Sequence, residues 1–228
     1  MDRDYILDNP SYHSLIGPHR RFATSLRNAH KYPEEMAGRY GVPNEASPQD
    51  WADLATLVGP EVAMFINHTE ATPPEEWEVV KRGNAAQMIA GDLLPQEDPE
   101  TIRLGSADVP EMLDLVARTK PGPFRARTVD MGVYLGIRHS GALVAMAGER
   151  LHPAGWAEIS AVCTHPDYRG RGLASRVVRA VAAAAAERGD QVFLHVTATN
   201  TPAMRLYESL GMTVRRQTRS WTVKTPGA

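Results

Sequence analysis

The segment from Trp156 to Gly189 constrains the fold more than any other part of the chain. It begins with the apolar run 156–164, which predicts a strand. A polar turn containing Arg169-Gly170-Arg171-Gly172 follows. A helix is predicted from Leu173 to Arg188, because its five consecutive alanines have the highest intrinsic helix propensity, and Gly189 marks its end. The sequence therefore predicts a strand, a glycine-rich turn and a long helix in direct succession.

The turn before this helix is a candidate phosphate-binding site. A helix N-terminus offers unpaired N–H groups and the positive end of the dipole, and glycines let a phosphate approach the main chain closely. Arg169, Arg171 and Arg176 add positive charge nearby. The alternative is an ordinary turn with solvated arginines, since a short glycine-rich segment alone is a weak signal. The chain has no G-x-x-x-x-G-K-[ST] motif, and the turn lacks the G-x-G-x-x-G spacing of a dinucleotide site.

The rest of the second half predicts alternating strands and helices. A strand is expected at 101–104, and Asp108 with Glu111 resembles a capping box that opens a helix through Arg118. Further strands are expected at 132–138 and 142–149, joined by a hairpin turn, and at 191–198. Thr201-Pro202 begins a short helix that Gly211 ends, and residues 212–224 supply a final strand or hairpin.

A second motif lies one strand beyond the alanine-rich helix. Residues 200–212 read N-x-x-A-x-x-L-Y-E-x-L-G-M, and the turn at Arg169 reads R-x-x-G-x-A. Together, at this distance, the two motifs resemble the GNAT N-acetyltransferase superfamily over roughly Thr101 to Val223. The resemblance implies an α/β fold, the GNAT acyl-CoA acyltransferase fold, with a mixed, mostly antiparallel sheet flanked by helices. It also implies an N-acetyltransferase that uses acetyl-CoA as acetyl donor.

The resemblance also assigns residues to the donor site. The strand before the turn would separate from its neighbour and offer backbone groups to the pantetheine arm, and Asn200 would contact the cofactor near the next strand. Tyr207 would protonate the leaving thiolate, although a core aromatic on an amphipathic helix is the alternative. The remaining cofactor-binding candidates are the pantetheine residues Val162, Cys163 and Thr164 and the pyrophosphate residues Arg169, Gly170, Arg171, Gly172, Leu173, Ala174 and Ser175.

Amine acetylation also needs a proton acceptor. Glu158, on the strand that leads to the turn, is the first candidate for the base, acting directly or through water, and Glu149 is the second. Either one could instead be a solvent-facing strand residue or an ion-pair partner. Cys163 is expected to be a small buried hydrophobe rather than a nucleophile, because no histidine base is evident beside it in the sequence. The histidines show no metal-ligand spacing, so no metal is expected.

The first half carries no motif with recognisable chemistry. Asp92 to Glu100 is acidic, contains two prolines and has no periodicity, which predicts a linker. We therefore expect an N-terminal α/β region, 1–98, and an acetyltransferase domain, 99–228. The first region contains a helix from Ser47-Pro48 to Gly59 and short strand candidates at 62–66, 77–80 and 86–90. It is either a degenerate counterpart of the same fold or a cap on the substrate side.

Composition narrows the partners and the compartment. The formal charge is -2, so no overall basic excess favours nucleic acid or an anionic membrane. A single cysteine excludes an intramolecular disulfide, and no signal-peptide pattern follows the N-terminus, so a cytoplasmic, soluble protein is expected. The expected partner is a small-molecule or peptide amine, and exposed strands could pair in a homodimer. A catalytically silent acetyl-CoA sensor and a transferase for longer acyl groups are the alternatives.

Overall fold

The computed structural model describes residues 3–66 and 73–227, with side chains from Tyr5 onward, so the predicted region 1–98 includes residues outside these ranges. The described residues form five α-helices and eleven strands. The helices are α1 (Pro10–Ile16), α2 (Pro48–Val58), α3 (Val109–Thr119), α4 (Leu173–Ala186) and α5 (Thr201–Ser209). The strands are β1 (Thr24–Leu26), β2 (Ala29–Lys31), β3 (Tyr40–Gly41), β4 (Ala63–Ile66), β5 (Glu78–Ile89), β6 (Thr101–Leu104), β7 (Tyr134–His139), β8 (Ala142–Glu149), β9 (Trp156–Thr164), β10 (Gln191–Thr197) and β11 (Thr213–Lys224).

Eight of these strands form one sheet in the order β4-β11-β5-β10-β9-β8-β7-β6. Only the β9–β10 pair is parallel among the described strands of this sheet, and α4 connects the two. The predicted fold class, a mixed and mostly antiparallel sheet with flanking helices, is confirmed. The strands β1, β2 and β3 form a separate small sheet.

Helices cover both faces of the large sheet. The buried side of α4, including Val177 and Val181, packs with Val144 of β8 in one apolar cluster. The buried residues of α3, Met112 and Leu115, pack in a second cluster with Leu143, the neighbour of Val144. Because successive strand residues point to opposite faces, α3 and α4 lie on opposite sides of the sheet. None of the helices within the described ranges is long and apolar enough to cross a membrane.

The large sheet takes strands from both sides of the boundary predicted at residue 98. Strand β5 pairs with β10 on one side and with β11 along nearly its whole length on the other. Trp51 and Leu54 of α2 pack in one apolar cluster with Val223 of β11. The early strands are thus part of the same sheet as the later ones.

Several local predictions are confirmed and two are wrong. The helix after Ser47 begins with a capping box formed with Asp50, and the hairpin β7–β8 turns at Ser140-Gly141. The separate strand candidates 77–80 and 86–90 are one strand, β5, because β11 supplies hydrogen-bonding partners across the gap between them. The capping box predicted at Asp108 is absent, because its carboxylate accepts instead from Gly105 N and binds Arg138.

Candidate functional site

A cavity of about 920 Å³ lies where β9 and β10 separate. The two strands pair only from Trp156 to Glu158, opposite Gln191 to Phe193, although β9 continues to Thr164 and β10 to Thr197. Residues 159–164 and 195–197 line the opening that results. Ala161 has a φ of 54°, and the β8–β9 register shifts opposite it, so the backbone irregularity coincides with the separation. The unpaired edge of β9 therefore faces a space large enough for a ligand.

The predicted phosphate turn forms one end of this cavity. Gly170 and Gly172 have φ angles of 74° and 73°, in the left-handed region that glycine adopts without strain. Gly172 is the N-cap of α4, and no side chain caps the helix, so its first N–H groups are directed to the turn. A Cβ on either glycine would meet no protein atom within 4 Å, which shows open space beside the turn. This geometry suits an anionic group at the start of α4.

The predicted donor-site residues lie in the cavity wall with one exception. The wall contains Val162, Cys163, Thr164, Arg169, Gly170, Gly172, Leu173, Ala174, Ser175, Asn200 and Tyr207. Arg171 lies outside it, with its guanidinium carbon 4.8 Å from the ring centroid of Tyr168. The Arg176 guanidinium, expected to add charge near the turn, is paired with Asp98 and Glu100. The predicted linker is thereby held against α4.

Two side chains of the wall have a defined protonation state. Tyr207 is 8% exposed, and burial, with a smaller contribution from Cys163, raises its pKa to about 12. Burial raises the pKa of the Cys163 thiol to about 11. Both groups are therefore protonated at neutral pH: Tyr207 can donate a proton, and Cys163 is a thiol rather than a thiolate nucleophile.

Neither glutamate proposed as the base belongs to the cavity wall among the described residues. Glu158 is 0% exposed and accepts two hydrogen bonds from Arg150, at 2.9 and 2.8 Å, and one from His195 Nδ1, at 2.8 Å. Burial opposes its ionisation, but the Arg150 guanidinium and these hydrogen bonds outweigh burial and hold the pKa of Glu158 well below its usual range. Glu149 is also buried and binds Val133 N and Arg188. Each carboxylate is occupied by its own partners.

The groups that connect Glu158 to the cavity are Arg150 and His195, which sequence reasoning missed. The Gln87 amide donates to Leu7 O and accepts from Arg215, so its nitrogen is the atom that faces His195 Nε2, 3.1 Å away. His195 therefore accepts at Nε2 and carries its proton on Nδ1, where it donates to Glu158. The available signal was a histidine within the otherwise apolar run of β10, next to the strand that carries Glu158.

Arg39, Phe65 and Lys81 supply another part of the wall and were also missed. All three come from the N-terminal region, where no motif pointed to a site. No group of three or more His, Cys, Asp or Glu side chains that could hold a metal ion occurs among the residues that the structure describes. The site is therefore built from a helix N-terminus, a free strand edge, one buried tyrosine and a set of cationic side chains.

The separated parallel strand pair and the uncapped helix N-terminus beside it agree with the acetyltransferase class that the comparisons identify. The family model described as FR47-like protein matches residues 134–222. A crystal structure of a putative acetyltransferase from the GNAT family of Novosphingobium aromaticivorans is 38% identical, with 96% of this chain and 98% of that chain covered and a TM-score of 0.86. The chain belongs to the GNAT family of acetyltransferases.

Two curated relatives match over shorter stretches. A mycothiol acetyltransferase of Thermobispora bispora is 39% identical over 101 residues, which is 40% of this chain and 31% of the relative. The N-alpha-acetyltransferase RimI of Mycobacterium tuberculosis is 38% identical over 81 residues, 34% of this chain and 50% of the relative. The matched part thus spans between about a third and a half of these curated relatives, and their names denote different acetyltransferases.

Proposed function

We propose that the protein transfers an acetyl group from acetyl-CoA to an amine by direct attack in a ternary complex. The observation that carries this proposal is the single cavity in which the free edge of β9, the uncapped start of α4 and the protonated Tyr207 meet. Family membership supports acetyl transfer, and the choice of an amine acceptor follows the names of related acetyltransferases. The acceptor would be a small molecule or a peptide.

The residues present fit acetyl-CoA. Backbone groups of Val162, Cys163 and Thr164 would pair with the pantetheine arm, and Thr164 Oγ1 is buried without a hydrogen-bond partner among the described residues, which leaves a polar atom for a ligand. The turn 169–174, with Ser175, would hold the pyrophosphate on backbone N–H groups, and Asn200 would contact the donor beside it. Acetyl-CoA supplies an activated acetyl group as a thioester.

The transfer requires two proton movements. The amine nitrogen forms a bond to the acetyl carbon, the carbon–sulfur bond breaks, and Tyr207 donates its proton to the leaving sulfur. The proton lost by the amine would go to His195, a cavity-lining residue, and Nε2 would give up its contact with Gln87 to accept it. Glu158 balances the charge that His195 gains and fixes its ring, and Glu158 is a positioning residue in this scheme. A backbone N–H near Val162 would polarise the thioester carbonyl.

The N-terminal region, 1–98, would form the acceptor side of the site. Its residues Arg39, Phe65 and Lys81 line the same cavity as the donor turn. This arrangement supports the substrate-side role among the two that the sequence left open, and the domain 99–228 would hold the donor.

Thermal unfolding with and without acetyl-CoA tests the proposal. A ligand at about 100 times its dissociation constant stabilises a fold by roughly 2.7 kcal/mol, which raises the thermal midpoint by about 5–11 °C for a chain of this size. CoA release is measured in the same samples with a panel of amines. A midpoint shift with amine-dependent CoA release supports the transferase, and a shift without release on any amine favours the sensor. No shift at any acetyl-CoA concentration contradicts the donor site.

A further inference from the structure

The wall of the main cavity is strongly cationic. Arg39, Lys81, Lys120, Arg150 and Arg169 all line it, and no Asp or Glu belongs to it among the residues that the structure describes. Arg169 lies at the proposed pyrophosphate turn and is accounted for by the donor. The charge of Arg150 is neutralised by its ion pair with Glu158, which lies outside the cavity wall. Of the remaining cations, Arg39 and Lys81 belong to the region 1–98, on the acceptor side, where the proposed function needs no positive charge.

Arg39 is the most unusual of these cations. It is only 8% exposed, and its guanidinium has no carboxylate and no hydrogen-bond acceptor within range in the part of the chain that the structure describes. Its guanidinium carbon lies 4.9 Å from the centroid of the Phe65 ring. Burial and the neighbouring Arg150 lower the pKa of Arg39 to about 9, so the group remains charged at neutral pH.

An unpaired buried charge is costly to a fold. Buried cations in proteins are normally paired, as Arg150 is with Glu158. A guanidinium has five N–H donors in a planar fork that matches the oxygens of a carboxylate or a phosphate. Arg39 lines the main cavity and a smaller cavity beside it, and its guanidinium stacks on the Phe65 ring with no hydrogen-bond acceptor among the described residues.

We propose that the acceptor amine carries an oxyanion, a carboxylate or a phosphate, that pairs with Arg39 on the N-terminal side of the cavity. This inference rests on the proposed function, because it names the substrate class of the same site. The anion would anchor the acceptor at Arg39 and leave its amine directed toward the donor end of the cavity. Lys81, which lines the same side, adds to the attraction.

The test compares amines that differ only in the anion. The full chain, with saturating acetyl-CoA, is given the common amino acids and their carboxamides, and separately phosphoethanolamine and ethanolamine. Thermal midpoint and CoA release are measured for each. Because a hydrogen bond to a charged group is worth more than a neutral one, kcat/KM is expected to favour the anionic member of a pair by about 10- to 150-fold. The two series distinguish carboxylate from phosphate.

Two variants assign the preference to Arg39. Arg39→Met should reduce the ratio between anionic and neutral acceptors to near one, while the acetyl-CoA-induced midpoint shift is retained. Arg82→Met is the matched control, because Arg82 also stacks at 4.9 Å, on Trp221, but is exposed and lies outside the cavity wall. It should keep the full ratio. If Arg39→Met does not fold, Arg39→Lys keeps the charge without the fork and should lower the ratio without abolishing it.

The inference and the proposed function fail in different ways. Equal use and equal binding of anionic and neutral amines by the wild type would overturn the inference, as would a preference that survives in Arg39→Met. The inference would also be overturned if no anionic amine shifted the thermal midpoint and none was acetylated. Failure of acetyl-CoA to shift the midpoint would instead refute the donor site, and the anion-dependent midpoint shift would still decide the role of Arg39.

Discussion

Replacement of Glu158 by glutamine separates a positioning role from a direct catalytic one. Glutamine keeps the shape of the side chain but removes the charge that compensates Arg150, which is itself only 8% exposed. Removing one partner of a buried ion pair costs about 3–5 kcal/mol, because the other charge is left uncompensated. For a chain of this size, each kcal/mol lowers the thermal midpoint by about 2–4 °C, so Glu158→Gln should lower it by about 6–20 °C.

The assay is a double-mutant cycle followed by thermal and urea unfolding. Arg150→Met alone leaves Glu158 without its cation and should also destabilise the fold. The double variant Glu158→Gln with Arg150→Met leaves neither charge unpaired, so it should recover most of the loss. Additive losses in the double variant would contradict the reasoning, because they would mean that the two residues do not compensate each other.

The pH dependence gives an independent check on the same pair. The pKa of Glu158 is lower in the folded protein than its ordinary value of 4.5, so its contribution to stability is present above pH 4.5 and is lost as pH falls below it. The stability difference between wild type and Glu158→Gln should therefore narrow below pH 4.5. A variant that unfolds within about 2 °C of the wild type at pH 7 but has lost CoA release would return Glu158 to the role of direct base.

Three further outcomes are expected. Tyr207→Phe should lower kcat by about 10²- to 10⁴-fold with little change in acetyl-CoA affinity. Tyr134→Phe is its control, because the Tyr134 hydroxyl is buried without a hydrogen-bond partner among the described residues and its loss should not destabilise the fold. Gly172→Ala should weaken acetyl-CoA binding in a titration and cost about 1–2 kcal/mol in urea unfolding, since alanine is strained at a φ of 73°. Burial, with His152 nearby, lowers the pKa of His19 to about 4. The free energy of unfolding measured in urea should therefore fall by up to about 3 kcal/mol between pH 6.5 and pH 4. It should fall less in His19→Gln, and an equal fall in both proteins would refute this.

The elements that could be predicted from the sequence are those with local signals. The alanine run and the glycines at both ends place α4 within two residues of the predicted helix. The two strands of the β7–β8 hairpin are also found. The continuous strand β5 was predicted as two pieces, because its polar middle is held by β11, which lies more than a hundred residues later. Strand pairing between residues so far apart in the sequence cannot be recognised from a local residue pattern.

The same limit explains which residues of the candidate site could be predicted from the sequence and which could not. All the predicted donor residues except Arg171 line one cavity, and those that belong to the two motifs lie on a turn and two helices whose local conformation depends on nearby residues. Glu158 could not be assigned to a face, because β9 is covered on both sides and its alternation carries no polar signal. The positive φ at Ala161 also interrupts the regular alternation of side chains along β9. Beyond Ala161, the side chains therefore face a different helix from the one that the alternation predicts. A partner such as Arg150 becomes visible only in three dimensions.

The position of Glu158 has a consequence for the whole site. Its carboxylate neutralises Arg150 and orients His195, so one buried charge supports both the cationic wall and the histidine that faces the cavity. Arg39 has no hydrogen-bonded carboxylate among the described residues: burial and Arg150 lower its pKa, and Glu158 favours its charged form only through space. A fold that neutralises one guanidinium and leaves its neighbour unpaired has left the second charge to be satisfied by a ligand. The described residues give the Arg39 guanidinium no hydrogen-bonded partner, so we expect the acceptor to bring the anion that pairs with it.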